Sequence, residues 1–293
     1  MKQAILITAY KDFDQLTQLI DEFDENFSIY IHIDRKSKIS EKKYQDLKRR
    51  KIVRYVGQDY KVNWGGLNHL KSYLKLSQIA FEDKENIYFH LITGQDFPIK
   101  NNEYFMTLID SEEKRKCDYL SYFKLPNTYW ENGGMDRLEH YNLYDLFDAK
   151  KSKRWIKLIK ILQTLLHFKR PINDYLGQLY GGSTYWSLSR DTLQYVLDFT
   201  ANNRRFLKRF NYTFCAEEIY FQTVIMNSSC SKRVVNNSLR FADWKSGKGG
   251  YPAFLDEGDF HAIINSDNIF ARKIDCKESK LLQMLTIKRR VRR

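Results

Sequence analysis

The chain has 293 residues, of which 43% are hydrophobic and 29% charged, with a formal net charge of +13. This hydrophobic content, with four prolines in the whole chain, excludes a disordered protein and supports one large α/β domain or two small ones. The positive charge favours nucleic acid, an anionic membrane or a phosphorylated ligand as a partner, and most of the excess lies in two acid-free blocks at 150–170 and 288–293.

Strand-like and helix-like patterns alternate through the first half of the chain. Apolar residues at helical spacing predict helices over 13–23 and just after the Gly65-Gly66 pair. Continuous apolar runs predict four buried strands, at 4–10, 27–33, 53–56 and 87–93. This alternation predicts a Rossmann-like parallel sheet, in which ligands bind at the carboxyl ends of the strands.

Polar clusters follow two of these strands at the edge where a ligand would bind. His32 and Asp34 share one face of a strand end, because side chains alternate along a strand. A nucleotide contact and a plain surface pair both agree with that pattern. Another buried strand ends in Gly94-Gln95-Asp96, which is either a simple turn or an active-site loop.

The second half of the chain is less regular. It contains a strand-like run at 118–123, a loop-rich segment at 126–144 and a Gly-led strand at 180–188 followed by a helix. No internal repeat or linker separates the halves. We therefore expect one catalytic domain over 1–275, with a nucleotide-type half at 1–125, an acceptor-type half at 126–275, and a basic tail at 276–293.

Residues 150–168 predict a basic amphipathic helix. The segment 150–170 has eight lysines and arginines and no acid, beside an apolar face that begins at Trp155. Such a helix can lie on an anionic membrane, or it can pack its apolar face in the core and leave the lysines in water. Both alternatives remain open in the sequence.

Two adjacent carboxylates, Glu217 and Glu218, lie where a loop meets an aromatic run of helical period. Neighbouring residues on a helix face different ways, so one carboxylate can enter a site while its neighbour caps the helix start or faces water. A carboxylate half-buried beside aromatic rings can act as a general base. The alternative is that both are first-turn acids that the helix dipole favours.

Common phosphate and metal motifs are missing from the sequence. It has no P-loop, no GxGxxG and no HExxH. Asp12-Phe13-Asp14 has the form of a metal-binding DxD, but its place at a helix start favours capping. His32 with Asp34 offers two ligands only. We therefore expect no obligatory metal and no bound cofactor.

The cysteines indicate a reducing compartment, because none has CxxC or zinc-like spacing; they are Cys117, Cys215, Cys230 and Cys276. The first apolar run is too short for a secretory signal or a membrane span, and no later stretch is long enough. We therefore expect a cytoplasmic protein, either soluble or bound peripherally to the inner face of the membrane through 150–170 and 288–293.

Seven segments, taken together and in order, resemble the core-2/I-branching β-1,6-N-acetylglucosaminyltransferases of glycosyltransferase family 14 and the related peptide O-xylosyltransferases. The matching segments, which span about 4–275, are His32–Lys36, Trp64-Gly65, Leu91–Lys100, Gly182–Trp186, Glu217-Glu218, Leu239–Trp244 and Phe270–Lys273. The resemblance implies a GT-A-type glycosyltransferase fold, with a mixed central sheet flanked by helices, in an inverting enzyme that works without a DxD-bound metal. The chain resembles a bacterial member of the family.

The resemblance also implies roles for individual residues. Glu218 matches the family's catalytic base, and Lys273 matches a cation that neutralises the donor diphosphate. Arg240 is the substitute for a second diphosphate-binding arginine, with Lys245 and Lys248 as alternatives. The donor side is expected to include His32, Asp34, Gly94 and Asp96. The acceptor side is expected to include Arg137, Glu217 and Trp244.

The implied reaction moves a sugar from a UDP-sugar, with GlcNAc the first candidate and xylose the second, to a hydroxyl of a glycan or lipid-linked glycan. Synthesis of a bacterial surface polysaccharide is the implied setting. The rivals are a protein that binds nucleic acid or another polyanion and a non-catalytic glycan-binding member of the same fold. The basic residues are localised and no nucleic-acid motif is present, so no nucleic-acid partner is expected.

Overall fold

Seven strands form the central sheet of the protein, which a computed structural model describes over residues 1–275 and 279–290. The strands in these ranges are β1 (Lys2–Ala9), β2 (Phe27–Ile33), β3 (Val53–Gly57), β4 (Asn86–Thr93), β5 (Phe97–Pro98), β6 (Asp118–Leu120), β7 (Phe123–Lys124), β8 (Tyr180–Gly181), β9 (Trp186–Ser189), β10 (Val234–Val235), β11 (Arg240–Ala242) and β12 (Phe270–Arg272). The helices are α1 (Phe13–Asp21), α2 (Glu41–Lys48), α3 (Leu67–Glu82), α4 (Asn102–Thr107), α5 (Glu112–Arg115), α6 (Asp136–Glu139), α7 (Ala149–Leu165), α8 (Arg190–Asn202), α9 (Arg204–Arg209), α10 (Tyr220–Met226), α11 (Phe260–Ile264) and α12 (Ser279–Arg290).

The central sheet has the order β10-β6-β9-β4-β1-β2-β3. β1, β2, β3 and β4 are parallel, whereas β9 is antiparallel to both β4 and β6. The predicted Rossmann-like N-terminal half, the mixed sheet and its flanking helices are therefore confirmed. Because the four parallel strands are side by side, their carboxyl ends meet along one edge.

Both faces of the sheet are covered, which explains why the parallel strands are continuously apolar. Along β1, Ala4 and Leu6 point into a cluster that contains residues of α3, α8 and α10. Ile5 and Ile7 point into the opposite cluster, which contains residues of α1 and α12. The alternation of side chains along one strand thus separates two hydrophobic cores.

A small second sheet brings the end of the chain to the edge of the central sheet. It has the order β11-β12-β5, with β12 parallel to β11 and antiparallel to β5. β5 follows the Gly94–Asp96 loop directly. Pairing of β12 with β5 therefore places Arg272 and Lys273 beside that loop, and the Ile274 amide donates to the Gln95 carbonyl at 2.9 Å.

The helix α12 packs on the domain, contrary to the predicted separate tail at 276–293. Leu281 and Leu285 are buried in the core, and the Arg289 guanidinium lies 2.7 Å from the Glu22 carboxylate. These contacts make Arg289 a buried structural residue and remove it from the predicted membrane-binding block at 288–293. Cys276 and the remaining tail residues, 291–293, lie outside the described residues.

None of the described helices is long and apolar enough to span a membrane. Among the described cysteines, Cys117, Cys215 and Cys230 are free thiols, as predicted.

Candidate active site

The two adjacent carboxylates lie in a short 3-10 turn, Ala216–Glu218, that precedes α10. Cys215 before the turn has a left-handed backbone with φ 49°, and its amide donates to the Gly65 carbonyl at 3.0 Å. The carboxylates point to different surroundings, as predicted. The Glu217 side chain is 4% exposed, whereas that of Glu218 is 27% exposed.

Glu218 forms an ion pair with Arg137, whose Nη1 lies 2.6 Å from Oε2 of the carboxylate. The guanidinium of Arg137 is stacked 3.5 Å from the centre of the Trp130 ring. The carbonyl of Arg137 also accepts a hydrogen bond from the Phe214 amide at 3.0 Å, which joins α6 to the loop before the turn. These contacts hold the Glu218 carboxylate in one position at the rim of the site.

The surroundings of Glu218 raise the pKa of its carboxyl group. Burial is the largest cause, followed by the charge of Glu217; the charge and hydrogen bond of Arg137 act in the opposite direction. A carboxylate with a raised pKa is a stronger base than one in water. Glu218 therefore has both the partial exposure and the proton affinity that a general base needs.

Glu217 belongs to a buried network and does not face an acceptor, contrary to the prediction. Its Oε1 lies 2.9 Å from Nδ1 of His69, and Nε2 of His69 lies 2.7 Å from the Tyr73 hydroxyl. His69 and Tyr73 are one turn apart on α3, so both rings lie on the same side of that helix. The network fixes the turn that carries Glu218.

The motif Gly182–Trp186 closes over the same turn. The Gly182 amide donates to the Glu218 carbonyl at 2.9 Å. A Cβ at position 182 would collide with the carbonyl oxygen of Ser121, so this approach requires glycine. Tyr185, three residues on, is thereby brought into the space between the carboxylate turn and the sheet edge.

A second charged cluster lies at the carboxyl end of β4. Asp96 is fully buried, and its Oδ2 accepts from the amide and hydroxyl of Thr93 at 2.7 and 2.6 Å. Its Oδ1 lies 3.2 Å from Nε of Arg272, an ion pair without the alignment of a hydrogen bond. Asp96 therefore positions Arg272 and cannot itself reach a donor, contrary to the prediction.

Lys273 has surroundings that suit an incoming anion. Its amine lies 3.5 Å from the Tyr251 carbonyl and 5.8 Å from the centre of the Phe254 ring. In the described part of the chain, no carboxylate lies within ion-pair distance of this amine. Burial, and then the charge of Arg272, lower the pKa of Lys273. An anion bound here would relieve that repulsion.

Lys11 lies near the same ring, with its amine 5.9 Å from the centre of Phe254. It follows β1 directly, so it belongs to the same sheet edge. Unlike Lys273, it is already paired, with carboxylate oxygens of Asp12 at 2.9 Å and Asp275 at 3.4 Å.

Tyr185 connects the two clusters. The guanidinium of Arg272 lies 4.0 Å from the centre of its ring. Burial is the main reason that the pKa of Tyr185 is raised; Arg272 opposes the shift, and Asp96, Glu217 and Glu218 add to it. The same ring is therefore close to the carboxylate turn and to the cationic edge. The structure thus brings Glu218, Arg137, Arg272 and Lys273 into one region.

The remaining residues predicted on the donor side frame the sheet edge. His32 is 1% exposed, its Nε2 accepts from the Tyr60 amide at 3.1 Å, and burial lowers its pKa to about 4. Oδ1 of Asp34 accepts from the amides of Lys36 and Val62, both at 3.0 Å. Gly94 packs against β1, where a Cβ would lie 3.4 Å from that of Ala9. The buried, neutral His32 ring does not fit the predicted donor contact.

Arg240 lies inside the core rather than at the donor, which corrects its predicted role. Its Nη2 donates to the carbonyls of Leu91 and Trp186 at 2.9 and 2.8 Å, and its Nη1 donates to the Ser187 hydroxyl at 2.7 Å. Burial lowers its pKa to about 9. Its hydrogen-bonding groups join β4 to β9, so it is a structural arginine.

The loop after β11 carries the other predicted candidates. Trp244 is 57% exposed there, so its ring is accessible to an acceptor. Lys248 is paired with Asp256 at 2.9 Å, and Lys245 donates its amide to the Asp243 carboxylate at 2.7 Å. Neither lysine has a contact that brings its amine to the cationic edge.

The structure offers no alternative metal centre within residues 1–275 and 279–290, where no group of three His, Cys, Asp or Glu side chains could hold an ion. Asp12 stands at the N-cap position of α1, but its side chain pairs with Lys11 and makes no cap hydrogen bond. Asp14 is ion-paired with Lys43 at 2.5 Å. The two acids of the DxD pattern therefore have separate partners, and the predicted capping bond is not formed.

The sequence indicates no role for several residues that the geometry brings to this site: Lys11, His69, Trp130 and Tyr185. Tyr185 and Arg272 stand inside the segments that carry the family resemblance, and Arg272 is one of two adjacent cations that suit a diphosphate. The contact of His69 with Glu217 spans 148 residues along the chain, and no local pattern signals it.

Comparison with known proteins identifies the family to which this chain belongs. A sequence model of the "Core-2/I-Branching enzyme" family matches residues 4–264. Dog xylosyltransferase 2 is 25% identical over 248 residues, which are 82% of this chain and 26% of the relative. Mouse xylosyltransferase 1 is 24% identical over 244 residues, covering 80% of this chain and 23% of the relative. The chain thus spans about a quarter of the length of these relatives.

Among solved structures, a glycosyltransferase involved in glycosylation of the major capsid of PBCV-1 aligns with a TM-score of 0.39 and 8% identity, over 97% of this chain and 99% of that one. With the family match extending over most of its length, the chain belongs to the core-2/I-branching enzyme family of glycosyltransferases.

Proposed function

We propose that this chain is an inverting, metal-independent glycosyltransferase that moves a sugar from a UDP-sugar to a glycan hydroxyl, in the synthesis of a bacterial surface polysaccharide. The observation that carries the proposal is the position of Glu218. Its partly exposed carboxylate has a raised pKa and is held by Arg137. Its charge acts on Tyr185, the ring against which Arg272 packs next to Lys273. A base and an anion site in one region suit sugar transfer.

In the proposed step, Glu218 removes the proton of the acceptor hydroxyl as its oxygen attacks the anomeric carbon of the donor. A new carbon–oxygen bond forms on one face of the sugar while the bond to the diphosphate breaks on the other. The electron pair leaves with UDP, and the configuration at the anomeric carbon inverts. The proton remains on Glu218 until the product has left.

The negative charge that builds on UDP needs a positive partner. Lys273 is the best candidate, because it has no carboxylate partner in the described part of the chain and its pKa is lowered by burial and then by the charge of Arg272. Arg272 is held in place by its ion pair with Asp96, and its positive charge acts on the Lys273 amine. Lys11 is paired with two acids, so we assign it a smaller contribution to neutralising the charge on UDP.

The acceptor side is supported by two exposed aromatic rings, of which Trp64 lies near the base. Trp64 is 61% exposed and contacts Phe214 edge to face at 5.1 Å between ring centres. Trp244 is also exposed. Faces of aromatic rings bury the apolar faces of sugars, so these residues suit a glycan or lipid-linked glycan. The names of the xylosyltransferase relatives make UDP-xylose a donor to test beside UDP-GlcNAc.

The experiment that tests the function is a panel of nucleotide sugars in the presence of EDTA. We expect binding and slow release of UDP from one UDP-sugar without added metal. Lys273→Met should weaken UDP binding by about tenfold to a hundredfold, because one desolvated cation–phosphate contact is lost. Lys280→Met is the matched control, since Lys280 is exposed and paired with Glu257 at 2.6 Å.

Two outcomes of this panel would contradict the proposal. If no UDP-sugar binds at any concentration tested, the transferase proposal fails. If EDTA abolishes turnover and Mn²⁺ restores it, the reaction depends on a metal, and the assignment of charge neutralisation to Lys273 fails.

The pH dependence of kcat/KM tests the pairing of Glu218 with Arg137. A base works only when deprotonated, so activity falls as the pH falls through its pKa. The raised pKa of Glu218 should place the midpoint of this acid limb of the pH profile above about 4.3, the pKa of an ordinary glutamate. Arg137→Met removes the group that favours the charged form, so the limb should move upward by about one pH unit or more.

The control for this profile is Arg205→Met, which removes another arginine stacked on an aromatic ring, 4.5 Å from Tyr175. Its limb should coincide with that of the unchanged chain. A limb that stays in place in Arg137→Met would show that Glu218 is not the group that titrates.

A further inference from the structure

The helix α7 presents an apolar stripe to solvent instead of packing it. Trp155, Leu158, Leu162 and Leu165 are 62%, 44%, 46% and 68% exposed. They are spaced by three, four and three residues, so they form one stripe along the outward face. Of the two alternatives that the sequence left open, the core-packed helix is therefore wrong for these four side chains.

The opposite face of α7 is bonded to the domain, so the outward orientation is fixed. Gln163 is buried, and its Oε1 accepts from the Tyr141 amide at 2.7 Å while its Nε2 donates to the Tyr141 carbonyl at 3.2 Å. The Lys160 amine lies 2.6 Å from the Asp136 carboxylate. These bonds can form only when the apolar stripe faces away from the domain.

Unpaired cations flank the stripe: Arg154 lies directly beside it, and Lys157 and Lys153 lie further round the helix. Lys151, Lys153, Arg154 and Lys157 are exposed, and none of them forms an ion pair with any residue that the structure describes. No acid occurs between 149 and 170. The cations of this segment that do have partners, such as Lys160, lie on the side bonded to the domain. The outward surface is thus apolar in its middle and positive around its N-terminal half.

We propose that α7 lies on an anionic lipid bilayer, with Trp155, Leu158, Leu162 and Leu165 inserted at the level of the headgroups and the bordering cations on lipid phosphates. An exposed apolar stripe beside lysines and arginines is the pattern of helices that lie in a membrane interface. Anionic headgroups attract such cations over about a Debye length.

A second copy of the chain fits this surface less well. In a symmetric dimer the same patch of both subunits meets itself, so the bordering cations of two helices would face each other. Like charges brought together cost free energy, whereas anionic lipid neutralises them. Charge complementarity therefore selects the bilayer.

The bilayer contact also has a consequence for the active site, one that rests on the proposed function. Asp136, to which Lys160 of α7 is bonded, is the neighbour of Arg137, which holds Glu218. A helix lying on the membrane would therefore keep the base near the lipid surface. Acceptors attached to lipid would be presented to it there.

Flotation of the full chain with vesicles tests the proposal without any donor or turnover. We expect binding to vesicles of phosphatidylcholine with phosphatidylglycerol, weak binding to phosphatidylcholine alone, and a decrease with salt. Leu158→Gln with Leu165→Gln, and separately Lys153→Gln with Arg154→Gln and Lys157→Gln, should each lower binding by about tenfold or more. Lys42→Gln with Lys75→Gln and Lys84→Gln, which changes exposed lysines elsewhere, should bind like the unchanged chain.

Three results would overturn the proposal. The first is no flotation with anionic vesicles. The second is binding that needs the cations but not the leucines, with equal affinity for RNA, which would indicate adhesion to any polyanion. The third is a dimer in solution that the leucine variant dissociates, with no vesicle binding. Because donor binding is measured separately, failure here leaves the transferase proposal standing, and failure of that proposal leaves this one standing.

Discussion

Glu218→Gln is expected to lower kcat on the order of a thousandfold while leaving the affinity for the UDP-sugar unchanged. The amide has nearly the shape of the carboxylate but cannot accept the proton of the acceptor hydroxyl. Arg137 would lose its charged partner, but it stays stacked on Trp130, so the site keeps its shape. The change leaves the charges of Arg272 and Lys273 in place, so the cationic edge keeps its affinity for the diphosphate.

Single-turnover transfer to an acceptor and equilibrium binding of UDP-sugar, measured on the same preparation, separate the two effects. Glu131→Gln is the matched control, because Glu131 is an exposed carboxylate in the neighbouring 3-10 segment Glu131–Gly134. It should turn over like the unchanged chain. If Glu218→Gln retained full turnover, another group would have to be the base.

Much of the fold could be predicted because its signals are local. Runs such as Ala4–Ala9 are apolar on both faces, and only a strand covered on both sides requires that. The short strands β5, β11 and β12 could not be predicted in the same way. Each has two or three residues, and the pairing of β12 with β5 joins segments more than 150 residues apart. Such strands exist only because tertiary contacts align them.

The C-terminal segment was mispredicted because its many basic residues drew attention away from the helical spacing of its leucines. The run Lys288-Arg289-Arg290 indicated a solvated or membrane-binding block, yet Leu281 and Leu285 one turn apart place α12 in the core. Arg289 lies on the same side and bonds to Glu22, 267 residues away. An ion pair buried by packing cannot be distinguished in a sequence from a charge in water.

The candidate site shows a similar division. Two residues of the site could be predicted. Glu218 lies beside aromatic residues in the sequence, and Lys273 matches a cation of the family that the chain resembles. Arg240 was misassigned because a lone arginine in a motif does not reveal whether backbone carbonyls or a ligand will satisfy its donors. The pairing of Asp96 with Arg272 was also not predicted, because it depends on the pairing of β12 with β5. Both residues nevertheless stand in segments that carry the family resemblance.

Breaking the ion pair of Asp96 with Arg272 is expected to have a large effect on stability. Arg272→Met should lower the free energy of unfolding by about 3–5 kcal/mol, because it leaves the charge of Asp96 buried without its partner. Asp96 is 0% exposed and keeps only the two hydrogen bonds from Thr93.

Urea denaturation measures this loss, and two variants show whether its cause is the buried charge. Arg233→Met breaks a more exposed pair, with Asp191 at 3.4 Å, and should cost less than about 1 kcal/mol. Asp96→Asn combined with Arg272→Met removes both charges and should recover much of the loss. If the double variant were as unstable as Arg272→Met alone, lost packing of the Arg272 side chain on Tyr185, and not the unpaired carboxylate, would be the cause. A loss below about 1 kcal/mol for Arg272→Met would mean that other groups replace Arg272 as the partner of Asp96, and the buried-charge explanation would fail.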